Sequence, residues 1–215
     1  MKNQQIYSEN TYEGQEKNGK PHGHGVFILA DGTKYEGQWK KGKRHGFGIT
    51  TIDENTNYSG YLKNDKPSGY GIMNYPDGAE YKGYWKGGKR HGYGIYLQPN
   101  GGKYIGNWKD NKRHGHGSHV SPDGKEFVGE WSNDVINGKG CFTDPINNTK
   151  YIGDFKQGKY YGEGLMIYPN DNKCIGQFKE SKHHGHVIFF SPNGINNDCC
   201  GLWFDGKLEI NLPLK

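Results

Sequence analysis

The sequence predicts an all-β protein: an elongated, single twisted antiparallel sheet built from about eight tandem β-hairpins. Three observations carry that prediction. The first is a period. An aromatic-x-Gly element begins at Tyr12, Tyr35, Tyr58, Tyr81, Tyr104, Phe127 and Tyr151 and continues as Cys-x-Gly at Cys174 and Cys199, with spacings of 23, 23, 23, 23, 23, 24, 23 and 25 residues. Self-similarity at such a period marks a repeat architecture. The second is composition. Hydrophobic residues make up 31% of the chain and are skewed toward rings, with 16 Tyr, 9 Phe and 5 Trp, while alanine occurs only at Ala30 and Ala79. Glycine-rich, alanine-poor chains make weak helices, because each interior Gly costs about 1 kcal/mol relative to Ala. The third is turn chemistry, since Asp-Gly or Asn-Gly closes most periods at Asp31-Gly32, Asp77-Gly78, Asn100-Gly101, Asp123-Gly124 and Asn193-Gly194.

Each period divides into four elements. In the first strand side chains alternate, so Tyr81, Gly83 and Trp85 share one face while Lys82, Tyr84 and Lys86 share the other. Tyr35, Gly37 and Trp39, then Tyr104, Gly106 and Trp108, then Phe127, Gly129 and Trp131 repeat the pattern. The strand glycine leaves bare backbone on which a neighbouring ring can lie flat. A polar turn follows, such as Lys86-Gly87-Gly88-Lys89-Arg90. The second strand opens with Gly92-Tyr93-Gly94, and this Gly-x-Gly recurs from Gly23, Gly46, Gly69, Gly115, Gly138 and Gly162. His precedes it at His22, His45, His91 and His114, and the eighth unit, His184-Gly185-His186-Val187, lacks the second glycine. The return turn uses the positive φ that Gly and Asn tolerate. Strand-interior glycines cost about 0.5–1 kcal/mol each, whereas a buried Tyr or Trp returns about 1.5–3 kcal/mol, and only against the next repeat. A lone unit therefore does not fold, and nearest-neighbour stacking supplies the stability.

The consensus Tyr-x-Gly-x-Trp, Gly-Lys-x-His-Gly-x-Gly and Asp-Gly resembles the MORN repeat family over roughly residues 12–203. That resemblance implies one β-hairpin per repeat, joined edge to edge. It divides the chain into a lead-in at 1–11, an array at 12–203 with units starting near 12, 35, 58, 81, 104, 127, 151, 174 and 199, and a C-terminal cap at 204–215. Tandem MORN chains with no other domain resemble radial-spoke-head and related axonemal proteins. The resemblance thus implies a non-catalytic scaffold for protein-protein contacts, a structural component of a ciliary axoneme with cytoplasmic placement.

Enzymatic readings find little support. Gly14 to Lys20, Gly37 to Lys43, Gly83 to Lys89 and Gly153 to Lys159 each fit G-x-x-x-x-G-K, but Pro21, Arg44, Arg90 and Tyr160 stand where a nucleotide loop needs Ser or Thr, and the flanks read as strands. His22 and His24, His114, His116 and His119, and His183, His184 and His186 cluster locally, yet they occupy the repeat's own His-Gly-x-Gly slot or its neighbours, so no metal site is expected. No nucleophile and base set departs from the period, and no cofactor is expected. Cys141, Cys174, Cys199 and Cys200 lack disulfide or CxxC spacing, and MKNQQIYSEN contains no apolar stretch, which reads as an intracellular chain with reduced thiols.

Two surfaces remain. Rings not sealed by their neighbours would form an exposed aromatic groove for a protein partner, with Tyr35, Trp39, Tyr81, Trp85, Tyr104, Trp108, Phe127 and Trp131 as its candidates. The hairpin turns would form a basic edge of Lys40, Lys43, Arg44, Lys86, Lys89, Arg90, Lys109, Lys112 and Arg113, suited to anionic phospholipid headgroups. Asp31, Asp53, Glu54, Asp77 and Asp123 mark the opposite turns. A net charge of only +5 gives no reason to expect nucleic acid. Later units replace Trp by Phe155 and Phe178, carry insertions near Pro145 and Ile195, and are expected to dock a different surface or to cap the stack.

Overall fold

The computed structural model describes residues 9–213, and apart from a short 3-10 turn at Asn197–Cys199 all regular structure in it is β-strand. Two compact units divide after Lys112. The first carries β1 (Thr11–Lys17), β2 (Lys20–Ile28), β3 (Lys34–Lys40), β4 (Lys43–Thr51), β5 (Asn57–Lys63), β6 (Lys66–Asn74), β7 (Glu80–Lys86), β8 (Lys89–Leu97) and β9 (Lys103–Lys109). Each pairs antiparallel with the next in chain order, two strands per period. The all-β hairpin array read from the sequence is the fold observed.

The expected alternation holds in β7, where Tyr81, Gly83 and Trp85 are buried and Tyr84 and Lys86 exposed. We call the buried side the inner face. Two details differ from the sequence reading. The polar turn contracts to two residues, Gly87 (φ 58°) and Gly88 (φ 84°), with Lys86 already opposite Lys89. Positive φ at both centres is the hairpin turn that matches strand twist, and Lys41-Gly42 and Asn64-Asp65 repeat it. The second strand therefore starts at Lys89, three residues before Gly92. It continues through the motif because the ladder bulges: Gly83 faces Gly94 and Trp85 faces Arg90, leaving Tyr84 against His91, Gly92 and Tyr93. Gly92 takes φ 66° there, a left-handed geometry that a Cβ would strain.

The second glycine of the motif has another task. A Cβ on Gly94 would sit 2.6 Å from Cζ of Tyr81, because that ring lies flat across Gly83 and Gly94. Tyr81 Oη then donates to the Tyr84 carbonyl at 3.0 Å, the group that the bulge removes from the ladder. Trp85 reaches the other way. Its Nε1 donates to Gly71 of the preceding hairpin at 3.2 Å, and its ring stands edge-on to Tyr58 (5.7 Å) and Tyr81 (5.0 Å).

Turns are tied to the hairpin before them. Gly42 N donates to Pro21 O, Asp65 N to Arg44 O, Gly88 N to Pro67 O and Asn111 N to Arg90 O, at 2.9–3.0 Å. Where the earlier residue is Arg44 or Arg90, its own N–H is capped by Asp65 Oδ1 (2.9 Å) or Asn111 Oδ1 (2.8 Å). Where it is Pro21 or Pro67 there is no N–H to cap, and the turn residue is glycine.

The second unit carries β10 (Lys112–Val120), β11 (Glu126–Ser132), β12 (Val135–Asp144), β13 (Thr149–Lys156), β14 (Lys159–Ile167), β15 (Lys173–Lys179), β16 (Lys182–Ser191), β17 (Gly194–Ile195), β18 (Gly201–Phe204) and β19 (Lys207–Asn211). Its substitutions are compensated. Tyr160 stands where Arg90 does and stacks on Tyr151 at 3.9 Å. Cys174 replaces the ring, and Val187, 1% exposed, replaces the glycine that such a ring would cover. The insertion at Pro145 is closed by Asp144, which accepts from Ile146 N and Asn147 N. At Ile195 the short β17 folds back on β16, and β18 resumes the pairing with Trp203 opposite Gly185. Residues 1–8 of the lead-in and residues 214–215 of the C-terminal cap lie outside the described residues.

Gly94→Ala should destabilise the protein by about 1–3 kcal/mol through overpacking against Tyr81, measured by chemical denaturation. Gly88→Ala meets no atom within 4 Å and strains only its φ of 84°, so it should cost less.

Candidate interaction surface

The eight inner rings do not form an open groove. Tyr35, Trp39, Tyr81, Trp85, Tyr104, Trp108, Phe127 and Trp131 are all buried, Tyr81 fully and Trp85 with 9% exposed. This corrects the expectation of an exposed aromatic face, and the reason is local: each ring is sealed by edge-on neighbours at 5.0–5.7 Å. The arginines complete the seal. The Arg90 guanidinium lies 4.3 Å over Trp108 and 5.0 Å over Tyr96 while donating to Asn111 O at 3.1 Å. Arg113 lies 4.1 Å over Trp131 and is paired with Asp134 at 3.2 Å. Arg44 has Leu62 where the next tryptophan would be, and a cavity of about 360 Å³ opens there between Arg44, Thr50, Leu62 and Trp85.

The arginines therefore do not belong to a free basic edge. Lys89 sits 3.9 Å from Asp110, while Lys40, Lys43, Lys86, Lys109 and Lys112 are exposed. The edge has a feature that spacing did not reveal. Lysines stand directly opposite one another beside the turns, at Lys17 and Lys20, Lys40 and Lys43, Lys63 and Lys66, and Lys86 and Lys89 in the first unit. Lys156 and Lys159, and Lys179 and Lys182, do the same in the second. Like charges directly across a ladder are destabilising, so this edge concentrates positive charge against a local preference.

The outer face carries the exposed rings. Phe47 pairs with Tyr61 and Tyr70 with Tyr84 in register, at ring distances of 5.7 and 5.8 Å, and Tyr93 follows on β8. All five are about half exposed, up to 55% at Tyr93. Sequence reasoning had placed Tyr84 on this face without assigning it a role. The signal was the residue that follows the first motif glycine, which is Phe47, Tyr70 and Tyr93 in three consecutive units and His24, His116, Lys139, Glu163 and His186 elsewhere. In the second unit this row becomes mostly polar pairs, His116 opposite Glu130, Lys139 opposite Asp154 and Glu163 opposite Gln177, while His186 faces Leu202.

Histidines of the sequence clusters diverge. His116 lies in the outer row, whereas His119 packs edge-on to Trp131 on the inner face at 6.0 Å, and burial lowers its pKa. His183 sits among Phe178, Phe189 and Trp203, and burial lowers its pKa too. Among the described residues no group of three or more His, Cys, Asp or Glu is placed to hold a metal.

The family model described as "MORN repeat" matches residues 12–34, 35–53, 58–80, 81–103, 104–126, 127–149, 151–173 and 174–195. No curated protein matches the chain. Among solved structures it is similar to the SAS-4 (dCPAP) TCP domain of Drosophila melanogaster in complex with a proline-rich motif of Ana2, at 13% identity over 80% of each chain with a TM-score of 0.33. The TCP10c domain of Drosophila melanogaster Sas-4 follows at 12% identity, 80% of this chain and 88% of that one, and 0.30. The virginiamycin B lyase of Staphylococcus aureus shares 10% identity over 87% and 73%, at 0.19. Likeness at these scores carries no inference about this chain.

Inner-face tyrosines should resist ionisation. Burial pushes Tyr35 up to about 12, and Tyr58, Tyr81 and Tyr151 are likewise raised by burial. A raised folded pKa means that the stabilisation is complete below the unfolded value near 10 and is lost as pH climbs through the folded value. Denaturation midpoints should hold to about pH 10 and fall between about 10 and 12, and Tyr35→Phe should reduce that fall.

Proposed function

Because the chain belongs to the MORN-repeat family, we propose that it is a non-catalytic scaffold that binds other proteins through the outer face of its hairpins. The family's repeats are modules for protein or membrane interaction. The observation that carries the protein reading is the row of half-exposed rings from Phe47 to Tyr93 on β4–β8, where tyrosine supplies large contact area at low conformational cost. A contiguous exposed apolar patch of this kind marks a partner site. The finer assignment is to a ciliary axoneme, as a radial-spoke-like component of a large assembly. It follows only the resemblance of tandem MORN chains to axonemal proteins, and imaging of a tagged copy tests it: axonemal signal supports the assignment, diffuse signal removes it.

A second reading has its own observation. The opposed lysine pairs beside the turns favour an anionic partner, and a membrane rich in acidic lipid gains about 1 kcal/mol per basic residue near its surface. In this reading the edge made of Lys40, Lys43, Lys86, Lys89, Lys109 and Lys112 meets headgroups, with Arg44, Arg90 and Arg113 holding the hairpins in place behind it.

One experiment compares the two. The immobilised chain is used to capture partners from cell extract, and the same chain is floated with vesicles with and without acidic lipid. The scaffold reading expects captured proteins to be lost when Tyr61→Ser and Tyr84→Ser are combined in a folded chain, with flotation unchanged. Capture indifferent to the rings, with salt-sensitive flotation abolished by Lys86→Glu and Lys89→Glu, would replace it by the membrane reading.

A further inference from the structure

Within the outer ring row, Tyr61 and Tyr84 lack a bulge-capping contact that other units make. In three other units the position of Tyr61 and Tyr84 holds an acceptor that serves the bulge. Gln15 Oε1 accepts from His24 N at 3.0 Å, Gln38 Oε1 from Phe47 N at 3.0 Å, and Glu130 Oε1 from Lys139 N at 3.3 Å. Tyr61 and Tyr84 place a ring there instead, against Gly69 and Gly92, with no acceptor to offer. A backbone hydrogen bond is worth about 0.5–1.5 kcal/mol net. Local rules broken without a structural gain mark functional positions.

The row also has a period. With strands about 4.8 Å apart, Phe47, Tyr70 and Tyr93 recur one per hairpin, every ~9.6 Å across the strands. A polyproline II segment has three residues per turn and rises about 3.1 Å per residue, so it presents the same face every ~9.3 Å. A β-strand repeats its face every ~6.8 Å and an α-helix every ~5.4 Å, and neither keeps step with the hairpins. Aromatic-lined surfaces are what proline-rich segments dock on, because the extended helix is already formed and little ordering entropy is lost. Charge runs in step as well. Lys63 and Lys86 follow Tyr61 and Tyr84 by two residues on the same face of the same strands, so each hairpin offers one exposed lysine beside its ring. On the other side of Tyr84, Lys82 is already held by Glu80 at 2.7 Å.

We propose that the outer face of β4–β8 is a docking platform for an acidic, proline-rich segment of a partner protein, bound in the polyproline II conformation across the strands with one turn per hairpin. Prolines fill the slots between the paired rings, and one acidic residue per turn faces Lys63 or Lys86. The proposal rests on the scaffold reading above and names the chemistry of its partner. It also explains why the row stops: Gln38 and Asn107 flank it in the first unit, and equivalent positions of the second unit place polar residues opposite one another, His116 against Glu130 and Lys139 against Asp154.

The test uses the full chain and synthetic labelled peptides followed by fluorescence anisotropy. A peptide of four Pro-Pro-Glu triplets should bind, and four Gly-Ser-Glu triplets of equal charge should bind at least about tenfold more weakly, a difference of about 1.4 kcal/mol. Tyr70→Ser and Tyr84→Ser should each weaken the proline peptide by about tenfold, combined Lys63→Glu and Lys86→Glu should abolish binding, and Ile175→Ser in the second unit should change nothing. Far-ultraviolet circular dichroism of each variant checks the fold. Equal affinity for the two peptides, or binding indifferent to Tyr70 and Tyr84, would overturn the proposal in favour of bulk charge attraction. If the proline peptide fails to bind while captured proteins are still lost on Tyr61→Ser with Tyr84→Ser, the scaffold reading stands and the partner chemistry is wrong. If the rings matter to neither, both fall.

Discussion

A tyrosine ring lying flat over two facing glycines is the contact on which the rest depends. Tyr81 covers Gly83 and Gly94, and the same arrangement holds for Tyr35 over Gly37 and Gly48 and for Tyr58 over Gly60 and Gly71. A sheet with bare glycine at its centre would be weak on propensity alone. The ring turns that weakness into a close contact, and its hydroxyl closes the carbonyl that the bulge leaves open. The next tryptophan, Trp108, then stands edge-on to Tyr81 at 5.5 Å, so one hairpin is completed only by its successor. The exception supports the logic: where Cys174 removes the ring, Val187 fills the space. At the start of the array Glu16 takes the tryptophan position and β1 is largely exposed, a charged edge of the kind that discourages further pairing.

Committing the inner face to stacking decides what the other surfaces can do. Rings that are sealed cannot meet a partner, and arginines that cap the following turn cannot meet a headgroup. The surfaces left open to a partner are the outer face and the lysines at the strand ends, the places where side chains vary without disturbing the stack. The first unit concentrates aromatic residues there, whereas the second answers its own polar groups, as when Gln177 donates to Glu163 at 3.0 Å.

Much of this was legible in the sequence. The 23-residue period, the alternation of Tyr81, Gly83 and Trp85 against Tyr84 and Lys86, and the turn glycines all follow from strand periodicity and glycine conformation. The bulge was not legible, because nothing in Gly-x-Gly distinguishes a left-handed Gly92 from a ring-covered Gly94. The fate of the arginines was not legible either, since Arg90 meets Asn111 from 21 residues away, across a turn. One signal was present and unread: Pro21 and Pro67 are matched by Gly42 and Gly88, while Arg44, Arg90 and Arg113 are matched by Asp65, Asn111 and Asp134. The burial of the eight inner rings was not legible, because composition counts rings without saying which ones their neighbours cover.

The account's central claim is that adjacent hairpins are coupled through the tyrosine and tryptophan of the inner face. A double-mutant cycle on Tyr81→Leu and Trp108→Leu, read by equilibrium unfolding, tests it most directly. The account predicts a coupling of about 0.5–1.5 kcal/mol for this edge-on pair. Additive losses, with no coupling between the two positions, would contradict it.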